Sequence, residues 1–283
     1  MIFWIASYPK SGNTWLRALL SSYFYSKDGI FNQGLLKNIG QFPEKKHFSE
    51  FNYDSKIVTD TSKFWIKAQE KINVNNKLNF FKTHNILGSI NNNNFTNKKN
   101  TSGAVYIVRD PRNVLTSLRN HYELTKDEAL KFMLNEKKYI HDYHSKDDFS
   151  DFQFISSWEK NYKSWLNQKV FPVKLIRYED LNSKTLDILR EIIEFIQNVV
   201  GEKNEFNILK AQNSVKSTNF ENMKNLEKND GFFESILSKN ENKKIPFFHL
   251  GPRNDWRSIF DKNYQEKLKS IFENNLNELN YSK

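Results

Sequence analysis

Residues 2–15 constrain the fold more than any other stretch of the chain. Ile2-Phe3-Trp4-Ile5-Ala6 is a short apolar run, and Ser7-Tyr8-Pro9-Lys10-Ser11-Gly12 ends it. Trp15, Leu16, Leu19, Leu20 and Tyr23 then recur at helical spacing. The pattern reads as a buried strand, a tight loop, and a helix that begins near Asn13 or Thr14. A glycine-containing turn in that setting points successive backbone N–H groups into one concavity, and the helix N-terminus adds positive potential. The result is an anion cradle in which Lys10 supplies a full charge and Ser11, Asn13 and Thr14 supply side-chain donors. An ordinary strand-to-helix turn with a capping Asn or Thr would carry the same local features.

The rest of the chain repeats the alternation. Strands are expected over 78–83, 104–108 and 173–177, and a helix over about 184–199. A further helix opens at Pro111, with Val114, Leu115 and Leu118 as its buried stripe. Apolar strands separated by helices imply an α/β fold, a three-layer α/β/α arrangement around a central parallel sheet covered on both faces. Residues 28–77 carry mixed polar and aromatic signals and are expected to cover a pocket. Residues 91–100 are Asn-rich and read as a surface loop, 126–168 and 262–280 read as helical, and 214–252 reads as a long, partly mobile segment. No repeat or linker divides the chain, so residues 1–283 form one domain.

Composition removes several classes. Aromatic residues make up 15% of the chain, with 24 Phe, 12 Tyr and 6 Trp, which is enough apolar surface to exclude general disorder. No uncharged apolar run approaches the roughly 20 residues of a bilayer span, so no integral membrane segment is expected. Cysteine is absent, which excludes disulfides, thiolate zinc sites and thiol catalysis. The start MIFWIASYPK resembles a strand and not a secretion signal, so the expected compartment is cytoplasmic. The net charge of +10 comes from 43 basic and 33 acidic residues, but only eight of the basic ones are arginines. Scattered lysines in a Lys- and Asn-rich chain do not form the stripe with interleaved aromatics that nucleic acid requires, so no nucleic-acid partner is expected. The arginines cluster at 109, 112 and 119 and at 253 and 257. Their planar forks match phosphate better than a lysine does and point to specific anion contacts.

Two further motifs give the cradle a context. Tyr8-Pro9-Lys10-Ser11-Gly12-Asn13-Thr14-Trp15-Leu16 closely resembles the loop by which sulfotransferases hold the 5′-phosphosulfate of 3′-phosphoadenosine-5′-phosphosulfate (PAPS). Arg109 and Ser117 stand eight residues apart, the spacing of the family's second signature, which grips the 3′-phosphate. Phe81-Lys82-Thr83-His84 is similar to the family's Lys-Thr-His stretch. The resemblance implies His84 as general base, and an imidazole that titrates near neutrality suits that role. It implies Lys10 at the bridging oxygen of the leaving phosphate and Lys82 at the equatorial oxygens. It also places Trp15, Tyr178, Thr218, Phe220 and Met223 around the adenine, on looser matches at Arg177-Tyr178-Glu179-Asp180 and Thr218-Asn219-Phe220-Glu221-Asn222-Met223. His47, His121, His141, His144 and His249 are read as structural, and no metal site is expected.

The chain departs from the family near its C-terminus. Where Arg-Lys-Gly-x-x-Gly-Asp-Trp is expected, His249-Leu250-Gly251 and Asn254-Asp255-Trp256 stand instead. Gly251 can still offer a backbone N–H, Arg253 is the candidate replacement for a missing cation, and the dimer motif is not recognisable, which leaves the oligomeric state open. The resemblance implies a PAPS-dependent sulfotransferase of P-loop-nucleotide-hydrolase-like fold. Its product would be PAP and its acceptor a small molecule, lipid or carbohydrate, with a hydroxyl preferred over an amine. Aromatics at 31, 42, 48, 51, 53, 232, 233, 247 and 248 are expected to line the acceptor pocket or to pack. The alternatives are a P-loop-type small-molecule kinase and a nucleotide-binding module without catalysis. The kinase is disfavoured because Lys10 precedes Gly12 and no acidic pair for Mg²⁺ ends a strand.

Overall fold

The computed structural model describes residues 1–283 except 76, 142–146, 203, 239–242 and 283. Chain order begins β1 (Ile2–Ser7), α1 (Asn13–Tyr25), β2 (Gly40–Gln41), α2 (Trp65–Ile72), β3 (Asn79–Thr83) and the hairpin β4 (Ser89–Ile90) and β5 (Asn93–Asn94). It continues through β6 (Thr101–Val108), α3 (Pro111–Tyr122), α4 (Lys126–Leu134), the hairpin β7 (Tyr139–Ile140) and β8 (Gln153–Phe154), α5 (Trp158–Leu166) and β9 (Val173–Arg177). The helices α6 (Tyr178–Ser183), α7 (Thr185–Val200), α8 (Ile208–Ser217), α9 (Phe220–Asp230), α10 (Trp256–Ile259) and α11 (Lys262–Glu278) complete it.

The main sheet has five parallel strands in the order β2-β3-β1-β6-β9. Every residue of β1 is buried, so its alternating side chains serve two cores. Ile2, Trp4 and Ala6 enter one cluster with α3, α4, α5 and α11, whereas Phe3 and Ile5 enter the other with α1 and α7. Tyr106 and Val108 on β6 join the first cluster, and Val105 and Ile107 join the second. This is the expected three-layer α/β architecture. After β1, the chain fills the β3 side of the sheet first and the β6 side next, so the strand order switches at the carboxyl end of β1. Such a switch point opens a crevice above the strand ends.

Local expectations are met at the first helices and modified elsewhere. Asn13 opens α1 and Pro111 opens α3, where the Asp110 side chain accepts from the Arg112 backbone N–H. Among the described residues, the segment 126–168 is helical only over α4 and α5. Between them β7 and β8 pair antiparallel, and 142–146, which include His144, lie outside the described residues. The Asn-rich stretch is only partly surface: Asn91 and Asn92 adopt φ of 49° and 64° to turn a hairpin, a conformation Asn tolerates. Phe95 behind it is buried, and its carbonyl accepts a 2.6 Å bond from Gln69 Nε2. The polar segment 214–252 contains α8's end and α9, then folds back so that Ile245 N–H donates to the Ile236 carbonyl at 2.8 Å. Glu227 ties this return down by accepting from the backbone N–H groups of Phe247 and Phe248. Residues 28–77 add the two-residue edge strand β2 as well as pocket cover.

Candidate active site

A cavity of about 1450 Å³ opens at the carboxyl ends of β1, β3, β6 and β9. The loop after β1 forms its floor. Lys10 has φ 65° and Gly12 φ 100°, and a Cβ on Gly12 would stand 2.6 Å from Tyr178 Cδ2. Only glycine allows that loop to lie against the tyrosine ring. Asn13 turns inward, where its Nδ2 donates to the Ile5 carbonyl at 2.9 Å and to Ser7 Oγ at 3.1 Å. It therefore braces the strand end, while Thr14 Oγ1 reaches a carboxylate in the cavity, that of Glu234. Ser11 is fully buried beneath the loop, and its hydroxyl has no partner.

Lys10, Gly12, Asn13, Thr14, Trp15, Lys82, His84, Arg109, Ser117, Tyr178, Thr218, Phe220, Met223 and Gly251 all line this cavity. Arg109 leaves the end of β6 and lies over the Tyr178 ring at 4.2 Å. Its Nη1 donates to Ser117 Oγ at 3.2 Å and to the Lys10 carbonyl at 3.3 Å, and its buried Nε is unpartnered. Ser117 is also held by Asn254 Nδ2 at 3.1 Å. Trp15 meets Tyr178 edge-on with ring centroids 5.9 Å apart. Thr218 spends its hydroxyl on the Ser214 carbonyl. Gly251 presents its carbonyl, not its N–H, to Arg109 Nη2 at 3.3 Å. Arg253 does not line the cavity; it is exposed and pairs with Glu221 at 3.4 Å.

The catalytic candidates meet across the strands. His84 Nδ1 lies 2.8 Å from the Ser7 carbonyl, and a carbonyl can only accept, so Nδ1 carries the proton and Nε2 the lone pair. The near-neutral titration expected of His84 is not what the site gives: burial, aided by the Lys82 ammonium, pushes it down to about 3, so the imidazole is neutral. Burial pushes Lys10 down to about 7, and its ammonium sits 3.8 Å over the Phe247 ring. Burial lowers Lys82 as well, against the attraction of Glu234.

Several site residues carried no role in the sequence reading. Glu234 is only 12% exposed and accepts from Lys82 Nζ at 2.7 Å and Arg17 Nη1 at 2.6 Å. Although burial opposes it, Lys82 and Arg17 hold its carboxyl well below the usual range. Arg17 stands one helical turn after Thr14, a spacing that puts both on one face. His121, His141 and His249, all read from the sequence as structural, line the cavity; burial pushes His121 down to about 2, and its Nδ1 is unpartnered. The wall formed by 28–77 and β7–β8 is polar, with Gln41, Glu44, Lys45, Asp148, Ser150 and Asp151. Of the aromatics expected there, Phe31, Phe42, Phe48 and Phe232 are buried in cores, and Phe51 and Tyr53 pack on one. Phe233, Phe247 and Phe248 do line the cavity.

Among the described residues no group of three or more metal-ligating side chains is assembled, and no helix is long and apolar enough to cross a membrane. An anion cradle at the switch point of a parallel sheet, faced by two lysines and a neutral imidazole, defines a site for group transfer from an anionic donor. The chain belongs to the sulfotransferase domain family, whose model matches residues 2–280. It is 24% identical over 278 residues to sulfotransferase 1A1 of Rattus norvegicus, covering 93% of this chain and 80% of that protein. It is 24% identical over 229 residues to luciferin sulfotransferase of Photinus pyralis, covering 78% of this chain and 56% of that one. A mouse sulfotransferase crystallised with PAP matches the fold with a TM-score of 0.57 at 20% identity, over 98% of this chain and 84% of that one. Retinol dehydratase, crystallised with androsterone and PAP, matches with a TM-score of 0.58 at 17% identity, over 97% of this chain and 80% of that one.

Proposed function

We propose that this chain is a PAPS-dependent sulfotransferase that esterifies an acceptor hydroxyl, with His84 as general base. The observation that carries the base assignment is the bond from His84 Nδ1–H to the Ser7 carbonyl, which leaves Nε2 as acceptor toward the cavity. The family supports sulfuryl transfer over the kinase alternative. PAP in two structural neighbours supports the donor. So does the unpartnered Nε of Arg109, a buried polar atom of a cavity-lining residue that an anionic nucleotide suits, whereas Ser11 lies beneath the loop and does not line the cavity.

PAPS supplies an activated sulfuryl group on its 5′-phosphate. The acceptor hydroxyl gives its proton to His84 Nε2 as its oxygen bonds to sulfur and the bond from sulfur to the phosphate oxygen breaks. The products are the sulfate ester and PAP. Lys82 and Lys10 stabilise charge on the transferring group and the leaving phosphate, and their fixed positions avoid reorganisation during transfer. Arg109 with Ser117 holds the 3′-phosphate, and Tyr178, Trp15, Phe220 and Met223 enclose the base. The polar wall near His84, together with Phe233, Phe247 and Phe248 in the same cavity, suits an acceptor that combines hydroxyls with apolar surface, such as a glycoside.

The test is transfer from labelled PAPS to a panel of glycosides and phenols, followed by His84→Ala with the best acceptor. Turnover should fall by about 10²–10⁴, while PAP binding measured by calorimetry persists. Unchanged turnover in His84→Ala would remove the base assignment. Transfer to no hydroxyl in the panel and no PAP binding would remove the function.

A further inference from the structure

The cradle already holds an anion, and it comes from the chain itself. Glu234 lies in the return segment after α9, yet its carboxylate bonds to Thr14 in the first turn of α1, to Arg17 one turn later and to Lys82 near the end of β3. These three donors are preorganised. Arg17 spends Nε on the Ile39 carbonyl and Nη2 on the Leu36 and Ile39 carbonyls, so only Nη1 is left for an anion. Lys82 is fixed in the central sheet at its register with Ile5. The same return segment lays Phe247 over the ammonium of Lys10. Both lysines of the site are therefore engaged by one segment, which Glu227 and a small apolar cluster including Phe232 and Phe248 hold in place.

The geometry points to Thr14, Arg17 and Lys82 as an anion subsite for the 5′-phosphate end of the donor, with Glu234 as an internal stand-in that donor binding must displace. This rests on the donor reading above and adds Arg17, a residue outside the motifs, to the binding groups. A carboxylate and a phosphate oxygen offer the same acceptors to these three donors, and two anions cannot share them at hydrogen-bond distance without strong repulsion. The free enzyme is thus self-blocked at one end of the donor site and open at the Arg109–Ser117 end. Donor entry exchanges one anion for another, which keeps buried Lys82 and Arg17 paired throughout.

The experiment is calorimetric titration of the wild-type protein, Glu234→Gln and Glu234→Ala with PAP, adenosine 5′-phosphate and adenosine 3′-phosphate, with melting temperatures showing that each variant is folded. Removing the competing carboxylate should tighten PAP and adenosine 5′-phosphate by at least about tenfold, the factor that one charge-assisted hydrogen bond commands. Adenosine 3′-phosphate should change by less than about twofold, because its anion does not enter the subsite. Wild-type and variants binding PAP equally would overturn the displacement and leave the donor reading intact. Equal tightening of both monophosphates would overturn the subsite in favour of a general charge effect. Failure of every protein to bind any of the three ligands would remove the donor reading and this inference together.

Discussion

The lowered Lys10 ammonium gives the donor site a pH dependence that can be worked through. Burial first, then the neighbouring Arg109 and Lys82 charges, bring Lys10 from its ordinary value to about 7, against the opposing pull of Glu234 and Glu227. The charged form is therefore present below pH 7 and is lost as pH rises through that value. Donor phosphates, whose second ionisation lies at about 6, are fully charged above pH 7 and bind best to the ammonium. At pH 8 about one Lys10 in eleven is protonated, and at pH 9 about one in a hundred. Affinity for PAP should thus weaken about tenfold for each pH step above 7, about 1.4 kcal/mol per step, until the pKa of the complex is reached. The assay is calorimetry from pH 6 to 9 in pairs of buffers with different ionisation heats, which also counts the proton taken up on binding. The Lys10 share of the uptake should be near zero at pH 6, where the ligand phosphates themselves release protons on binding, and approach one proton at pH 8.5. Lys10→Met should bind more weakly at pH 6 and show a flat profile. A flat wild-type profile, or a slope that survives in Lys10→Met, would refute the reasoning.

Three other outcomes are expected. With His84 pushed down to about 3, its neutral form is present throughout the ordinary range, so the kcat/KM profile should lack an acid limb near the usual histidine value; a limb near 6.5 that disappears in His84→Gln would contradict this. Gly12→Ala should cost about 1–2 kcal/mol from the left-handed backbone alone, and more as the new Cβ displaces Tyr178. A melting temperature within a degree of wild type would show that the loop can shift freely. Arg109→Ala should weaken PAP binding by about 10²-fold through loss of a charge-assisted phosphate contact. Arg253→Ala should leave it within about twofold, because that side chain is exposed and paired with Glu221. Equal losses in the two arginine variants would mean that Arg253 swings into the site when donor binds.

The sequence by itself determined what depends on neighbours along the chain. The run from Ile2 to Trp15 specifies a strand, a loop and a helix because a continuous apolar run, a positive-φ glycine and a helical stripe are all local. Arg109 and Ser117 converge for the same reason: a strand end followed by a helix opened by Pro111 returns an eight-residue spacing to one side. Lys82 and His84 share a strand end, so their nearness needed only the strand. The two-residue edge strand β2 was beyond reach, since it is too short to show a period. Tertiary structure alone decided the rest. The His84 tautomer depends on the Ser7 carbonyl of an adjacent strand, 77 residues away in sequence. Glu234 meets Arg17 across 217 residues, and nothing near it in the chain distinguishes it from the other surface-type acids. At the C-terminal departure, a short helical turn directs Asn254 onto Ser117 and sends the neighbouring Arg253 outward, because Asn254 finds partners in α3 while Arg253 meets solvent and Glu221. Hydrogen-bond partners of buried polar groups are set by what the fold brings alongside, and that is information only the packed layers contain.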